Sequence, residues 1–290
     1  MTVSLVFGAS GAVGRFLLPR LLAAGDEVVA VSREARTTAH PRVRWLVGGL
    51  PAAVPPLPDV DAIYSLGPLD AFAEWFARSR VSEQPRIVAI GSLSAVTKEQ
   101  SIDPRERDLS ARLRQAESML AAAADARGCR STLLRASLIY GAGLDRSLTP
   151  LVRFAERWRV FPTVTGAGGL RQPVHADDLA DACVTVAGNA GAARSYDLGG
   201  GERLAYREML ARVRASLPVA TVPLPVPRSL ARALSGLARR TPAFSAASAA
   251  ALRRIDENLV VDHAAAVADF GWSPRAFRPC AEDWIAPPLT

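Results

Sequence analysis

Gly8-Ala9-Ser10-Gly11-Ala12-Val13-Gly14 is the stretch whose reading decides the fold. The apolar run Val3 to Phe7 precedes it and reads as a buried parallel strand. Arg15-Phe16-Leu17-Leu18-Pro19-Arg20-Leu21-Leu22 follows it with helical spacing. Strand, glycine-rich turn and helix, in that order, place a pyrophosphate on a helix N-terminus. One glycine permits the tight turn, one lets phosphate approach the backbone, and one lets the helix pack close to the strand. The spacing is G-x-x-G-x-x-G rather than G-x-G-x-x-G, so the strand-to-helix setting carries the specificity. Gly8, Ser10, Gly11, Ala12, Val13 and Gly14 are the candidate cofactor residues of this turn.

Outward from the turn, Glu27 to Val31 reads as the second strand, reached after a helix that ends at Gly25. A dinucleotide without a 2′-phosphate meets an acidic residue at the end of this strand. Here the strand ends in Ser32-Arg33, with Arg36 close by. Ser32 can donate a hydrogen bond and Arg33 can pair with a phosphate, although Glu34 weakens the field. The pattern favours NADP over NAD. Val43 to Val47, Ala62 to Leu66 and Arg86 to Ile90 read as further strands, with a helical stretch from Leu69 to Ser79 between the last two. Such alternation predicts an α/β fold with a doubly wound parallel sheet and ligands at the strand C-termini. Leu66, Gly67 and Gly91 would line the cofactor there.

The chain has 290 residues, 49% of them apolar, enough for one large α/β unit alone or with a small second lobe. Cys129, Cys183 and Cys280 form no CxxC pair and no disulfide framework, which points to a reducing compartment. The N-terminus begins directly with a core strand and no run approaches a membrane span, so a cytoplasmic location is expected. The net charge of +7 is spread over arginines scattered among acids, which argues against nucleic acid and fits an anionic substrate or a negatively charged surface. Lys98 is the single lysine. It lies in Gly91-Ser92-Leu93-Ser94-Ala95-Val96-Thr97-Lys98, the segment after the fifth strand. Its compact ammonium can lose a proton where guanidinium stays charged.

GASGAVG, the Ser92/Ser94 loop, Leu134-Arg135-Ala136-Ser137-Leu138-Ile139-Tyr140-Gly141 and Arg171-Gln172-Pro173-Val174-His175-Ala176-Asp177-Asp178-Leu179 together resemble the extended and atypical short-chain dehydrogenase/reductases, the NAD(P)-dependent epimerase/dehydratase superfamily. The closing segment Asp262-His263-Ala264 to Phe270-Gly271-Trp272-Ser273-Pro274-Arg275 is similar too. The resemblance implies a Rossmann domain over 1–165, with 172–190 packing back onto it. It also implies a smaller, mostly helical substrate-binding region over 166–290 and often a homodimer through two helices. The expected activity is reduction of a carbonyl on a sugar nucleotide or comparable anionic metabolite. A catalytically silent NADPH sensor or assembly subunit and a redox-neutral epimerase are the alternatives.

One departure separates this chain from active members, which carry Tyr-x-x-x-Lys and a glutamate four residues later. Taking Glu117 as that glutamate puts Leu113 in the lysine slot and Leu109 in the tyrosine slot, and Leu93 aligns with the usual catalytic hydroxyl. If the chemistry has moved, Lys98 is the candidate proton donor, with Ser92 and Ser94 beside it and Tyr140 as the alternative. Arg171 and Arg146 are candidate ligands for a phosphate or carboxylate. His175 with Asp177 and Asp178 resembles a structural turn, the acids capping a helix from Leu179 to Ala187, and no metal site is expected. Pro218 to Pro227 reads as a proline-punctuated connector. The basic, leucine-striped stretch 228–240 reads as a helix that closes a domain or touches membrane headgroups.

Overall fold

The computed structural model describes residues 2–37, 40–79, 81, 84–164, 168–192, 194–226 and 255–289. The chain enters as β1 (Val3–Phe7), passes the glycine turn into α1 (Gly14–Ala23), and returns as β2 (Glu27–Ser32) and β3 (Val43–Val47). Then come β4 (Ala62–Ser65), α2 (Leu69–Arg78), β5 (Arg86–Ser92), the single turn α3 (Ser94–Thr97), the long α4 (Pro104–Ala126) and β6 (Ser131–Ala136). Beyond these lie β7 (Ile139–Tyr140), α5 (Thr149–Trp158), β8 (Val160–Val164), β9 (Leu170–Arg171), β10 (Val174–His175), α6 (Ala176–Gly188) and β11 (Ser195–Leu198). The described remainder holds β12 (Leu204–Ala205), α7 (Tyr206–Ala215), β13 (Val222–Val226), α8 (Ala264–Phe270) and a 3-10 turn over Ala281–Trp284.

Seven strands form one parallel sheet in the order β11-β6-β5-β4-β1-β2-β3. The central strands are apolar on both faces because both faces are covered by helices. On one face Leu17, Leu18 and Leu21 of α1 meet Leu179, Ala180 and Cys183 of α6. On the other, Phe72 and Phe76 of α2 meet Ala116 and Leu120 of α4. Leu69, Phe72, Ala73 and Phe76 recur at three- and four-residue spacing, which gives α2 a single buried stripe. Sequence order reverses between β1 and β4, and the crevice outside their C-termini is where such sheets take ligands.

A third core, of Tyr140, Val152, Phe161, Met209, Val213 and Phe277, lies outside the sheet and organises the second lobe. It draws on α5 and α7, and β11 is the seventh strand of the sheet. Within the expected connector, β13 pairs in parallel with β8. Pro223 and Pro225 alternate along β13, so both missing N–H groups fall on one edge of the strand. Stretch 228–240 lies outside the described residues.

Candidate functional site

The glycine turn gives each of its glycines a different reason. Gly8 has φ +82°, and Gly11 closes the turn by donating its amide to Gly8 O at 2.9 Å. The amide of Leu66 bonds Phe7 O at 2.9 Å, so the end of β4 lies against the turn. A Cβ on Gly8 would sit 3.1–3.2 Å from the Leu66 and Gly67 backbone. At Gly14 it would sit 2.4 Å from the carbonyl oxygens of both Gly8 and Ala9, so close packing of α1 on the turn demands glycine there. At Gly11 it would meet only Gly8 O, at 3.1 Å, and otherwise open space. Helix α1 has no side-chain cap and no acid in its first turn. The amides of Arg15, Phe16 and Leu17 bond Gly11 O and Val13 O, and the positive end of the helix dipole stands beside that opening.

At the end of β2, Ser32 is buried and its Oγ accepts from Arg36 Nε at 3.1 Å and from the Glu34 amide at 3.3 Å. Arg36 also pairs with Glu34 at 3.2 Å. Arg33 is exposed, and its stem passes close to Gly49. A third cation, Arg15, folds back over the turn, donating to Ser10 O at 3.2 Å and to Pro287 O of the C-terminal segment. Burial and the nearby charge of Arg36 lower the Arg15 pKa. The structure therefore draws Arg15 and Arg36 together where the sequence pointed first to Arg33. Arg15 directly follows the third glycine, a position the sequence displayed without comment.

After β5, Ser92 Oγ accepts from the Ser94 amide at 3.2 Å, Leu93 is buried, and Thr97 Oγ1 donates to Leu93 O at 3.0 Å. Lys98 caps α3, and its Nζ lies 3.3 Å from Glu106 Oε1 on α4. Glu106 is itself buried and accepts from Ser101 Oγ at 2.7 Å. Leu109 and Leu113 are half-buried on the same helix. Glu117, one turn further, grips Arg135 of β6 with two bonds of 3.0 and 2.8 Å, and Arg135 reaches Asp197 of β11 at 3.2 Å. The hydrogen bond that Arg135 donates to Glu117 leads the causes that raise the Arg135 pKa. Glu117 thus ties α4 to the sheet.

Tyr140 is 1% exposed, edge-on to His175 and Phe277 at centroid distances of 5.0 and 4.8 Å, and burial drives its phenol pKa up. His175 Nδ1 accepts from the Asp177 amide at 3.1 Å, which puts the proton on Nε2, and that nitrogen donates to Asp283 Oδ1 at 3.0 Å. The expected capping by the acids is corrected: the His175 ring caps α6. Asp177 pairs instead with Arg20 and Arg275, and Asp178 with Arg275, each at 2.7 Å. Arg171 is buried, donates Nη1 to Leu170 O and Glu257 O at 2.9 and 2.7 Å, and lies 5.0 Å over the Tyr206 ring. Arg146 is exposed. Cavities of about 220 and 210 Å³ lie away from the glycine turn, the first at the N-terminal ends of β5 and β6 and the second between α6 and residues 270–275. Among the described residues no cluster fit for a metal ion occurs, and no helix is long and apolar enough to cross a membrane.

Residues 71–199 match the family described as the NAD dependent epimerase/dehydratase family. A curated relative, subunit 9 of the mitochondrial NADH dehydrogenase [ubiquinone] 1 alpha subcomplex of Arabidopsis thaliana, is 25% identical over 269 residues. The match takes in 83% of the present chain but 65% of that relative, so the chain spans a little under two thirds of its length. Among solved structures, UDP-N-acetylglucosamine 4-epimerase from Bacillus cereus superposes with a TM-score of 0.68 at 14% identity, covering 98% of this chain and 95% of the other. UDP-glucuronic acid 4-epimerase from the same organism, in complex with UDP-glucuronic acid and NAD, gives 0.67 at 11% identity over 97% and 96%. At these identities the superpositions speak for the fold.

Proposed function

We propose that the chain is a member of the NAD-dependent epimerase/dehydratase superfamily, whose family model matches residues 71–199, that it binds NADP(H) across the glycine turn, and that it serves as an oxidoreductase on the carbonyl of an anionic metabolite of the sugar-nucleotide kind. The observation that carries this reading is the opening at Gly11, where only one atom lies within 4 Å of where a Cβ would stand. Backbone phosphate contact needs such an opening at a helix start. Gly8, Ser10, Ala12, Val13 and Gly14 complete the cradle, and Leu66, Gly67 and Gly91 stand at the neighbouring strand ends.

The 2′-phosphate falls to the end of β2, where Ser32 replaces an acid and Arg36, Arg15 and Arg33 supply charge. The solved relative with UDP-glucuronic acid holds NAD, so the phosphate preference rests on these residues alone. The cofactor supplies hydride. Lys98 is the proposed proton donor, with the Ser92 and Ser94 hydroxyls orienting the carbonyl and Arg146 the exposed cation for the substrate's anionic end. Arg171, donating to two backbone carbonyls, braces residues 255–259 against β9.

A second reading, a cofactor-holding subunit without turnover, is favoured by Leu109 and Leu113 in the relay slots, by the Lys98–Glu106 pair and by the burial of Tyr140. The Arabidopsis relative is by name a subunit of a larger enzyme. Calorimetric titration with NADPH and NADH tests the shared premise. NADPH is expected to bind at least about tenfold tighter, about 1.4 kcal/mol; equal affinities remove the phosphate preference, and no binding of either removes the function. NADPH oxidation against a panel of UDP- and dTDP-sugars then separates enzyme from subunit.

A further inference from the structure

Among the described residues, the exposed large aromatics both stand on α5. Thr149, Val152 and Ala155 turn inward, which leaves Arg153, Phe154, Arg157 and Trp158 on the solvent side. Phe154 is 39% exposed and Trp158, one turn on, 59%. The Arg157 guanidinium lies 5.3 Å over the Trp158 ring, so cation and aromatic share one face. Glu156, the helix's one carboxylate, is half-buried.

The aromatic pair does not stand alone. Arg159 ends the helix in the left-handed region, φ 57°, and its carbonyl accepts the Val222 amide at 2.9 Å. That bond brings β13 directly beside Trp158. Val222 and Leu224, two apart on one face of the strand, are 67% and 51% exposed. Two aromatics on α5 and two aliphatics on the adjoining β13 are thus exposed, with Arg153, Arg157 and Arg159 beside the aromatics, on a chain carrying +7.

We propose that this α5/β13 face docks on an anionic lipid bilayer, the helix lying in the interface with Phe154 and Trp158 among the upper acyl chains and the arginines at the headgroups. An amphipathic helix with aromatics on one side and arginine at its border is the form that lies in the plane of a charged membrane. Two other occupants fit worse. Pro223 and Pro225 withhold their N–H groups, which discourages an added strand from a protein partner. A second copy would set the same three arginines against their own images across a two-fold axis. This inference does not depend on the cofactor reading.

The test is co-sedimentation of the full chain with vesicles of phosphatidylcholine alone and of phosphatidylcholine with phosphatidylglycerol. Binding is expected only with phosphatidylglycerol present, falling as salt screens the headgroups. Phe154→Ser with Trp158→Ser lowers the partition coefficient about tenfold or more, with an unchanged circular dichroism spectrum. Trp158→Phe keeps the binding but removes most of the quenching of tryptophan emission by brominated acyl chains. The proposal is overturned by absence of binding to phosphatidylglycerol vesicles or by binding that the double variant leaves intact. It is equally overturned by quenching that persists in Trp158→Phe. Self-association abolished by the double variant, or tighter binding to an oligonucleotide than to vesicles at equal salt, also overturns it.

Discussion

The β1–α1 turn and the β5–α3–α4 arm stand at the C-terminal ends of the two strands that flank β4, yet they are built differently. The turn is complete: Gly8 holds a left-handed φ, Gly14 admits two backbone carbonyls at 2.4 Å, and Gly11 leaves a space. The arm carries the Lys98–Glu106 pair and, on α4, the half-buried Leu109 and Leu113. Binding a dinucleotide asks mainly for main-chain shape, which three glycines fix. Moving a proton asks for particular groups on one helix face, and α4 offers Leu109 and Leu113 there. On the proposed reading, the cradle does not depend on the side chains that α4 presents.

The largest effects belong to the turn. Gly14→Val drives a branched side chain into two carbonyl oxygens that cannot retreat, and is expected to destabilise the protein by about 3 kcal/mol or more in urea unfolding. Gly11→Val brings its Cβ to 3.1 Å from Gly8 O, a tight contact the turn must ease, and fills the phosphate space. It should cost much less stability than Gly14→Val and weaken NADPH binding by at least about 10²-fold, about 2.7 kcal/mol. Normal NADPH affinity in Gly11→Val would reduce the turn to a structural bend and dissolve the comparison.

The arm is probed at Lys98. Lys98→Arg can still pair with Glu106 but cannot give up a proton at neutral pH. If the amine is the donor, turnover falls roughly 10²–10⁴-fold while NADPH affinity stays within a few-fold. Lys98→Met should lose turnover equally and some stability as well, since it leaves Glu106 buried without its cation. Full activity in Lys98→Arg makes the lysine a brace between α3 and α4.

How far the sequence could be read follows the same division. The strands β1, β3 and β5 and the turn were legible because apolar runs and glycine spacing are local signals. What the sequence hid was long-range. Nothing local says that Glu117 meets Arg135 across 18 positions, that Asp283 meets His175 across 108, or that Arg15 reaches Pro287. The proline-rich connector misled because prolines usually break strands, and only their alternation, Pro223 and Pro225, hinted at an edge.

A smaller effect sharpens the cofactor end. Because Arg36 bonds Ser32 while Arg33 stands exposed, Arg36→Ala is expected to erase most of the tenfold preference for NADPH, about 1.4 kcal/mol. Arg33→Ala should remove less than half of it. The reverse ranking in paired titrations would return the phosphate contact to Arg33.

The smallest effect tests the tie between the two regions' supports, the His175–Asp283 pair. Burial pushes the Asp283 carboxyl up, but the hydrogen bonds from His175 and from the Cys280 amide outweigh it and leave the pKa below its ordinary value. A carboxylate depressed in the folded state stabilises the fold above its unfolded pKa, near 3.9, and that stabilisation is lost as pH falls through the folded value. Asp177, where the bonds from Arg275 and Arg20 overcome burial, acts in the same sense. Asp283→Asn keeps an acceptor for His175 Nε2 and removes the charge. It should cost about 1 kcal/mol at pH 7 and nothing at the lowest pH where both proteins remain folded, so the two stability curves converge as the solution is acidified below about pH 4. Urea midpoints measured from pH 7 downward give the curves directly. A constant offset between them would show that Asp283 contributes through shape and hydrogen bonding alone, with its charge playing no part.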